Sequence, residues 1–353
     1  MTGKKMSIAA LCITLALLLL IGGITVFMDP FFHYFGPRDS INYRLYNQRY
    51  QNDGITRHFE YDAIITGTSM IENFKTSECD ALFGTNSIKI PFSGASYKEL
   101  NETLERALVY NDQVSVIFRG IDLGRLFSDK DYMRYESYPD YLYDEHLLND
   151  VSYLFNKDLF VDDVIGAIEF DMHSDTSHTF DRYSNWQNKH TYGKEAVLAE
   201  YERPKASEKI REFSAEDEEV VRGNIRQNVT DLVEANPQIT FYLFMPPYSI
   251  VYWDSLNQEG KVQRAIDGQR VAIEMILQYD NVRLFGFFDE FDLICDLNQY
   301  RDDIHYGEQI NTQMLEWMHD GEHELTLDNY EAYIQALSDF YTTYPYESIF
   351  ETE

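Results

Sequence analysis

The sequence predicts an α/β protein with a mostly parallel five-stranded sheet and an N-terminal transmembrane helix. Two observations lead to this fold class: an almost unbroken apolar run from Met6 to Met28, and short apolar segments that alternate with stretches of helical spacing. With 44% hydrophobic and 15% aromatic residues, the 353-residue chain has enough apolar material for a large core, which excludes a disordered protein.

The N-terminal apolar run follows Lys4 and Lys5 and is closed by Asp29-Pro30. It is long enough to cross the roughly 30 Å hydrocarbon core of a bilayer as a helix. A cleaved signal peptide would need a shorter apolar region and a small-residue cleavage site, and residues 22–28 match such a site poorly. We therefore expect an uncleaved signal anchor in the cell membrane, with its lysines in the cytoplasm and the rest of the chain outside.

This interpretation divides the chain into a cytoplasmic tip and anchor at 1–29, a juxtamembrane connector at 30–58 and an extracytoplasmic domain at 59–353. Buried parallel strands are predicted by apolar runs at 63–66, 88–92, 114–118, 239–244 and 282–285. Helical spacing predicts helices directly after Ser69, after Ser96, which forms a capping box with Glu99, and at 262–277 and 325–341. Because parallel strands present their carboxyl ends at one edge of a sheet, we expect a ligand to bind there.

The long interval at about 123–236 does not follow the strand–helix alternation, and we interpret it as an insertion that forms a cap or small subdomain. Segments this long inside compact domains are usually functional. Its row of tyrosines at 132–143 and Trp186 are candidates for stacking on sugar rings, with simple packing as the alternative. Three histidines of this interval are candidates for a metal site: His173, His178 and His190. Their spacing matches no metal-binding motif, so an exposed polar loop is the favoured interpretation.

The net charge of −31 argues against nucleic acid and anionic membrane surfaces as partners, because the long-range field of the protein repels polyanions. Two cysteines lie beyond the anchor, Cys79 and Cys295, and the sequence leaves open whether they pair. No cysteine cluster of the zinc-binding type is present.

Candidate catalytic residues follow the first strand and occur again near the C-terminus. Thr68 and Ser69 stand in a strand–turn–helix pattern, which is how many α/β enzymes present a nucleophile, although residue 71 is not the glycine of the usual elbow. Asp302 and His305 have the spacing Asp-x-x-His on a loop after the last strand. Such a pair can activate a serine as base and orienting carboxylate.

Ser69, Gly94 after the second strand, and the Asp302/His305 pair together resemble three sequence blocks of the SGNH (GDSL-like) hydrolase superfamily. Within it the chain is most similar to the membrane-anchored, extracytoplasmic branch of bacterial cell-envelope proteins, which includes the family involved in D-alanyl transfer to lipoteichoic acid. The resemblance covers roughly 60–122 and 237–320. It implies a flavodoxin-like three-layer sandwich, a Ser69–His305–Asp302 triad, an oxyanion hole from the N–H groups of Ser69 and Gly94, and no metal or organic cofactor.

The chain departs from the family pattern in two places. The residue before Ser69 is Thr68 rather than Asp, and the loop Gly120-Ile121-Asp122 lacks the Asn that completes the oxyanion hole. Arg119 or a backbone N–H is a candidate replacement for that donor. We expect substrate contacts from four residues near these departures: Thr68, Arg119, Asp122 and Tyr248.

The resemblance implies an esterase or O-acyltransferase that acts on acyl groups of a cell-envelope glycopolymer or another acylated carbohydrate, with a membrane protein as a further candidate partner. The alternative is a catalytically degenerate protein of the same fold that binds or scaffolds in envelope polymer modification. The missing Asn keeps this alternative open.

Overall fold

The structure is a computed structural model that describes residues 3–135 and 138–351. The chain divides into two compact units. The helical unit comprises Met1–Glu60 and Ser137–Tyr183, and the sheet unit comprises Tyr61–Glu136 and Ser184–Glu353. The segment predicted as an insertion, 123–236, therefore contributes to both units, while the predicted domain boundaries stay a prediction.

Six strands form one sheet, and all of them belong to the sheet unit: β1 Ala63–Gly67, β2 Ser87–Pro91, β3 Val116–Gly120, β4 Thr240–Met245, β5 Val282–Gly286 and β6 Glu324–Leu325. Their order is β2-β1-β3-β4-β5-β6, with β1 to β5 parallel and β6 antiparallel to β5. The five predicted strands and their parallel arrangement are confirmed. The sequence does not predict β6, because a two-residue strand carries no periodic pattern.

The α-helices, in chain order, are α1 Gly3–Met28, α2 Gln48–His58, α3 Thr76–Phe83, α4 Tyr97–Tyr110, α5 Val151–Leu154, α6 Lys157–Leu159, α7 Ile165–His173, α8 Lys194–Glu200, α9 Ala215–Ile225, α10 Asp231–Ala235, α11 Ile250–Gln258, α12 Val262–Ile276, α13 Phe291–Cys295, α14 Glu308–Asp320 and α15 Tyr330–Tyr341. Single π-helical turns at Phe160–Val164 and Arg226–Thr230 join α6 to α7 and α9 to α10. The predicted capping box of α4 is confirmed, since Ser96 accepts from the N–H of Glu99 and the Glu99 carboxylate accepts from the N–H of Ser96. The last predicted helix begins at Tyr330, because 324–325 are taken up by β6.

Helices cover both faces of the sheet. On one face the Phe118 ring of β3 contacts Phe83 of α3, with ring centroids 4.8 Å apart, and His319 of α14 packs on that Phe83 ring at 5.5 Å. Successive strand residues point to opposite faces, so Arg119 points to the other side, where its Nη2 donates to the carbonyl of Tyr97 in α4 at 3.2 Å. The result is an α/β architecture of three layers.

The helical unit begins with α1, the one helix of the described residues that is long and apolar enough to cross a membrane. The Asp29 carboxylate at its end accepts hydrogen bonds from the backbone N–H groups of residues 33–35 and from the Tyr153 hydroxyl, the last at 2.8 Å. These bonds tie the chain that leaves α1 to α5. Around them lies a small apolar core of Phe31, Leu142, Tyr153, Leu159 and Val164.

Candidate active site

The turn that carries Ser69 follows β1 without a regular helix. Gly67 has φ +152°, and a Cβ there would lie 2.8 Å from the Ile71 side chain, so the turn requires glycine. Ser69 opens a three-residue 3-10 turn, Ser69–Ile71, and α3 begins only at Thr76. The prediction of a helix directly after Ser69 is therefore wrong, and the N–H groups of a short turn, rather than a long helix dipole, face the serine.

A buried lysine holds the irregular segment between the turn and α3. Lys89 of β2 is fully buried, and its Nζ donates to the carbonyl oxygens of Glu72 and Phe74, the latter at 2.7 Å. These bonds satisfy two carbonyls of a segment that forms no regular helix, so Lys89 helps to fix the chain that follows Ser69.

Ser69, His305 and Asp302 form a continuous chain of contacts. Ser69 Oγ lies 2.7 Å from His305 Nε2, and His305 Nδ1 lies 2.8 Å from the nearer carboxylate oxygen of Asp302. Asp302 Oδ1 also accepts the backbone N–H groups of Ile304 at 3.0 Å and of His305 at 2.7 Å. An antiparallel bridge between Tyr300 and Tyr306 closes the loop around this pair.

The contacts of His305 Nδ1 indicate which tautomer the site holds. Arg301 Nη2 lies 3.4 Å from this nitrogen, whereas both Asp302 oxygens lie within 2.9 Å of it. The shorter, charge-assisted contact favours an N–H at Nδ1 that donates to Asp302, which leaves Nε2 to accept the Ser69 proton. Burial raises the pKa of Asp302, but the hydrogen bond and charge of His305 outweigh it and lower this pKa to about 2, so the carboxylate is ionised at neutral pH.

Asp303, the residue next to Asp302, takes a different part in the loop. Its backbone carbonyl accepts the Ser249 hydroxyl at 2.6 Å and the Ser249 N–H at 3.2 Å. Burial, followed by the charge of Asp302, raises the pKa of the Asp303 carboxyl. Asp302 therefore fits the orienting role and Asp303 supports the loop from the other side.

The turn that contains Gly94 presents a free N–H group. Ala95 N–H bonds to the carbonyl of Phe92 at 3.0 Å, and Gly94 has φ +69°, the conformation that favours glycine at this position of a type II turn. Arg125 Nη2 donates to the Gly94 carbonyl at 2.8 Å, and the Tyr135 hydroxyl donates to the carbonyl before it at 2.6 Å. Neither the N–H of Gly94 nor that of Ser69 donates to another residue within 3–135 and 138–351.

Three of the four predicted substrate contacts meet in one buried network. Asp122 is 3% exposed, and its two carboxylate oxygens accept the hydroxyls of Thr68 at 2.9 Å and Tyr248 at 2.6 Å. Burial raises the pKa of Asp122, and the two hydroxyls offset only part of this effect. The two departures from the family pattern, Thr68 and Asp122, are therefore hydrogen-bonded to each other.

Arg119 does not occupy the position that the sequence suggests. The Arg119 side chain is 1% exposed and is not part of the cavity wall. Its guanidinium group donates to the Tyr97 carbonyl, and burial lowers its pKa to about 10. The strand alternation that faces Phe118 to α3 forces Arg119 towards α4. The suggestion that Arg119 contacts substrate or supplies the missing oxyanion donor does not match this position.

A cavity of about 530 Å³ opens over Ser69 and includes Trp186, which the sequence offers as a candidate for stacking on sugar rings, as well as Arg125 and Arg301, which the sequence does not single out. Trp186 meets the His305 ring edge-on, with centroids 5.5 Å apart, and the Arg301 guanidinium lies over its indole at 4.6 Å. The backbone N–H of Trp186 is fixed by the Asn73 side chain at 3.0 Å. His190 also lines the cavity. The signal for both is weak: they stand in a polar stretch whose sequence does not show which strand end they approach.

The other histidines and cysteines that the sequence singles out bond to backbone or stay as free thiols. His173 bonds to the carbonyl of Glu169 and His178 to the backbone of Leu45. In the described part of the chain no group of three or more His, Cys, Asp or Glu side chains is arranged to hold a metal ion. Cys79 and Cys295 are both free thiols.

No family model and no curated protein matches this chain. Among solved structures the chain is similar to one from Streptococcus pneumonia that is described provisionally as a platelet activating factor, with 13% sequence identity and a TM-score of 0.37. The match covers 78% of this chain and 90% of that chain. A similarity this low carries no argument about activity, substrate or site residues, so the function must be argued from the geometry of this chain.

Proposed function

We propose that this protein is a serine esterase or O-acyltransferase in which Ser69 is the nucleophile, His305 the base and acid, and Asp302 the orienting carboxylate. The observation that carries the proposal is the 2.7 Å contact between Ser69 Oγ and His305 Nε2. A serine–histidine contact alone can be an ordinary hydrogen bond. In this protein the far nitrogen of the same ring bonds to a carboxylate that is itself held by two backbone N–H groups, which is the arrangement that activates a nucleophile.

The reaction would proceed in two halves. Ser69 Oγ attacks the carbonyl carbon of an ester while its proton passes to His305 Nε2, and Asp302 stabilises the imidazolium that results. Collapse of the tetrahedral intermediate breaks the bond to the alcohol oxygen, which takes the proton from His305, and leaves the acyl group on Ser69. A water or sugar hydroxyl then gives its proton to His305 and attacks the acyl carbon. Collapse of this second tetrahedral intermediate breaks the bond to Ser69 Oγ, which takes the proton back from His305. Hydrolysis and transfer differ only in this acceptor.

The free N–H groups of Ser69 and Gly94 support an oxyanion hole with two backbone donors. Removal of one such donor typically costs about 2.7–4 kcal/mol in transition-state stabilisation, so a site without the usual Asn needs these two to be well placed. The negative charge of Asp122 would oppose an oxyanion if it faced the cavity unshielded. Its bonds to Thr68 and Tyr248 direct both carboxylate oxygens to hydroxyl donors instead.

The test is covalent labelling of the full chain in detergent with a fluorophosphonate probe. Wild type should be labelled, and Ser69→Ala should lose the label while keeping the melting temperature of the wild type. Ser77→Ala, an exposed serine of α3 outside the cavity wall, is the matched control and should label like the wild type. Equal labelling of the wild type and Ser69→Ala would refute the assignment of the nucleophile.

The substrate class that we propose is an acylated cell-envelope glycopolymer or another acylated carbohydrate. This part rests on the resemblance of the sequence blocks and on the apolar helix α1, which suits an enzyme held at a membrane. The cavity supports it as well, because Trp186 offers an aromatic wall and Arg125 and Arg301 offer hydrogen-bond donors beside Ser69. Envelope polymer from cells with Ser69→Ala should differ in acyl content from that of wild-type cells, and identical acyl content would refute this substrate class.

One observation favours the alternative of a degenerate scaffold, namely the carboxyl group at the position of the family's Asn. The two proposals make opposite predictions. If the protein is only a scaffold, cells with Ser69→Ala and His305→Ala should modify their envelope normally, whereas cells that lack the whole protein should not. The intact Ser69–His305–Asp302 contacts support the enzyme over the scaffold.

A further inference from the structure

Large exposed apolar side chains are concentrated in one segment of the helical unit. Apart from α1, the segment 147–172 holds most of those that the described residues expose. Leu148 is 95% exposed, and the others include Leu147, Val151, Phe155, Val161 and Met172. The much longer sheet unit exposes only a few such side chains in its described part, such as Ile210 and Leu327, and they lie far apart in sequence. A concentrated patch of this kind indicates a binding surface.

The segment carries apolar side chains on its exposed side as well as on its buried side. Val161, Ile165 and Met172 follow one another at spacings of four and seven residues, which places them on one side of the helix that runs through α6 and α7. Leu159 and Val164 of the same helix are buried in the core of the helical unit. A helix that is apolar on both sides needs an apolar environment beyond its own core.

Two sets of contacts fix this segment beside the end of α1. Asp150 accepts His33 Nε2 at 3.2 Å and the Tyr34 hydroxyl at 2.9 Å, only a few residues after α1 ends. Phe155 packs against the helix itself, since a Cβ placed on Gly22 would lie 3.3 Å from its ring. The start of the exposed segment is therefore held at the level where α1 would leave a bilayer.

We propose that the segment 147–172 lies in the interface of the same membrane that α1 crosses, with its exposed apolar side chains among the lipid chains near the headgroups. The proposal takes α1 as a membrane span and does not depend on the esterase activity. A groove of about 550 Å³ between α1 and Phe155 is lined almost wholly by apolar side chains, among them Leu18, Val26 and Phe27, and an acyl chain fits it. Lipid presents apolar chains along both α1 and this segment.

The charges of the segment select the kind of lipid. Asp158, Asp162 and Glu169 are exposed between the apolar side chains and outnumber the exposed Lys157, whereas interfacial helices that bind anionic lipids carry mainly Lys and Arg in such positions. Burial of apolar surface, rather than electrostatic attraction, would hold the segment in the membrane. A zwitterionic phosphatidylcholine bilayer is therefore the appropriate test membrane.

The test places an environment-sensitive NBD fluorophore at position 148 of the full chain in phosphatidylcholine nanodiscs. Cys12→Ala and Cys295→Ala remove the accessible thiols, while Cys79 can stay because it is fully buried and burial raises the pKa of its thiol to about 12. The label is attached through Leu148→Cys. Ile210→Cys is the matched control, since Ile210 is 79% exposed and lies in the sheet unit. Val161→Cys provides a second reporter if labelling at 148 disturbs folding.

The label at 148 should emit at shorter wavelength than the label at 210 and should lose emission when lipids with a nitroxide near the headgroup are included. The label at 161 should behave like that at 148, whereas the label at 210 should keep a water-like emission. Equal, water-like emission at all positions would overturn the proposal. A blue shift at 148 without quenching by nitroxide lipid would also overturn it, because the segment would then be covered by protein rather than by lipid.

Discussion

The two carboxylate oxygens of Asp302 have different sets of partners, and Asp302→Asn distinguishes between them. Oδ1 accepts the backbone N–H groups of Ile304 and His305 and lies 2.9 Å from His305 Nδ1, whereas Oδ2 lies 2.8 Å from the same nitrogen and 3.1 Å from Arg301 Nε. An Asn side chain can keep its oxygen on the two backbone groups. Its NH₂ group then takes the place of Oδ2 beside His305 Nδ1 and favours the opposite tautomer, in which Nε2 carries the proton and cannot accept one from Ser69.

The expected loss follows from the proposed mechanism. The wrong tautomer should lower kcat/KM for 4-nitrophenyl acetate by about four powers of ten, or about 5 kcal/mol at 1.36 kcal/mol per tenfold change. Asp302→Ala should lose about as much activity, but it also removes the two backbone hydrogen bonds at about 1 kcal/mol each. It should therefore melt roughly 4–8 °C below Asp302→Asn, given about 2–4 °C per kcal/mol for a domain of this size.

The assay compares hydrolysis rate, fluorophosphonate labelling rate and melting temperature for the two variants. Asp303→Asn is the control, because this neighbouring carboxyl has no hydrogen bond to His305 among the described contacts, and it should keep activity within a few-fold of the wild type. Labelling of Asp302→Asn at the wild-type rate would refute the orienting role. Activity that falls in step with melting temperature across both Asp302 variants would also refute it, since Asp302 would then act only by stabilising the loop.

Two further predictions concern the oxyanion side of the site. Burial raises the pKa of Asp122 above its ordinary value of 3.8, so the folded protein keeps the carboxyl proton of Asp122 to a higher pH than the unfolded chain does. Ionisation of Asp122 as the pH rises above 3.8 therefore destabilises the fold. Asp122→Asn should therefore have a higher melting temperature than the wild type at pH 7, and this difference should vanish as the pH approaches 4. A lower melting temperature of the variant at every pH would contradict this reasoning. Gly94→Ala should fold, because the nearest atoms to its new Cβ, on Arg125 and Tyr135, are 3.9 Å away, but its φ of +69° should cost about 1–2 kcal/mol. A fall of roughly 2–8 °C in melting temperature is expected from that strain, and an unchanged melting temperature would show that the turn relaxes.

The hydrogen bond between Thr68 and Asp122 changes how the departures from the family pattern should be understood. Taken separately along the chain, Thr68 and Asp122 suggest two independent departures from the sequence blocks that the chain resembles. In the structure they form one donor–acceptor pair that Tyr248 completes. Each of the two side chains supplies a hydrogen-bond partner for the other one.

The sequence alone determined the features that depend on local patterns. The five parallel strands are continuous apolar runs, and the α4 capping box is a four-residue pattern. Asp302 and His305 stand three residues apart, so their contact is nearly fixed by the loop itself. The sequence was misleading after Ser69, where apolar spacing favours a helix but the chain forms a three-residue turn and an irregular segment whose carbonyls Lys89 binds from another strand.

Only the tertiary structure decided the contacts that join distant parts of the chain. Ser69 and His305 are 236 residues apart, and they meet because β1 ends at the same edge of the parallel sheet that the Asp302 loop approaches. The same packing brings Trp186 from the long interval to the His305 ring and turns Arg119 away from the cavity. A side chain's type and spacing fix what chemistry it can perform, whereas strand order and strand alternation fix which other side chains it can reach.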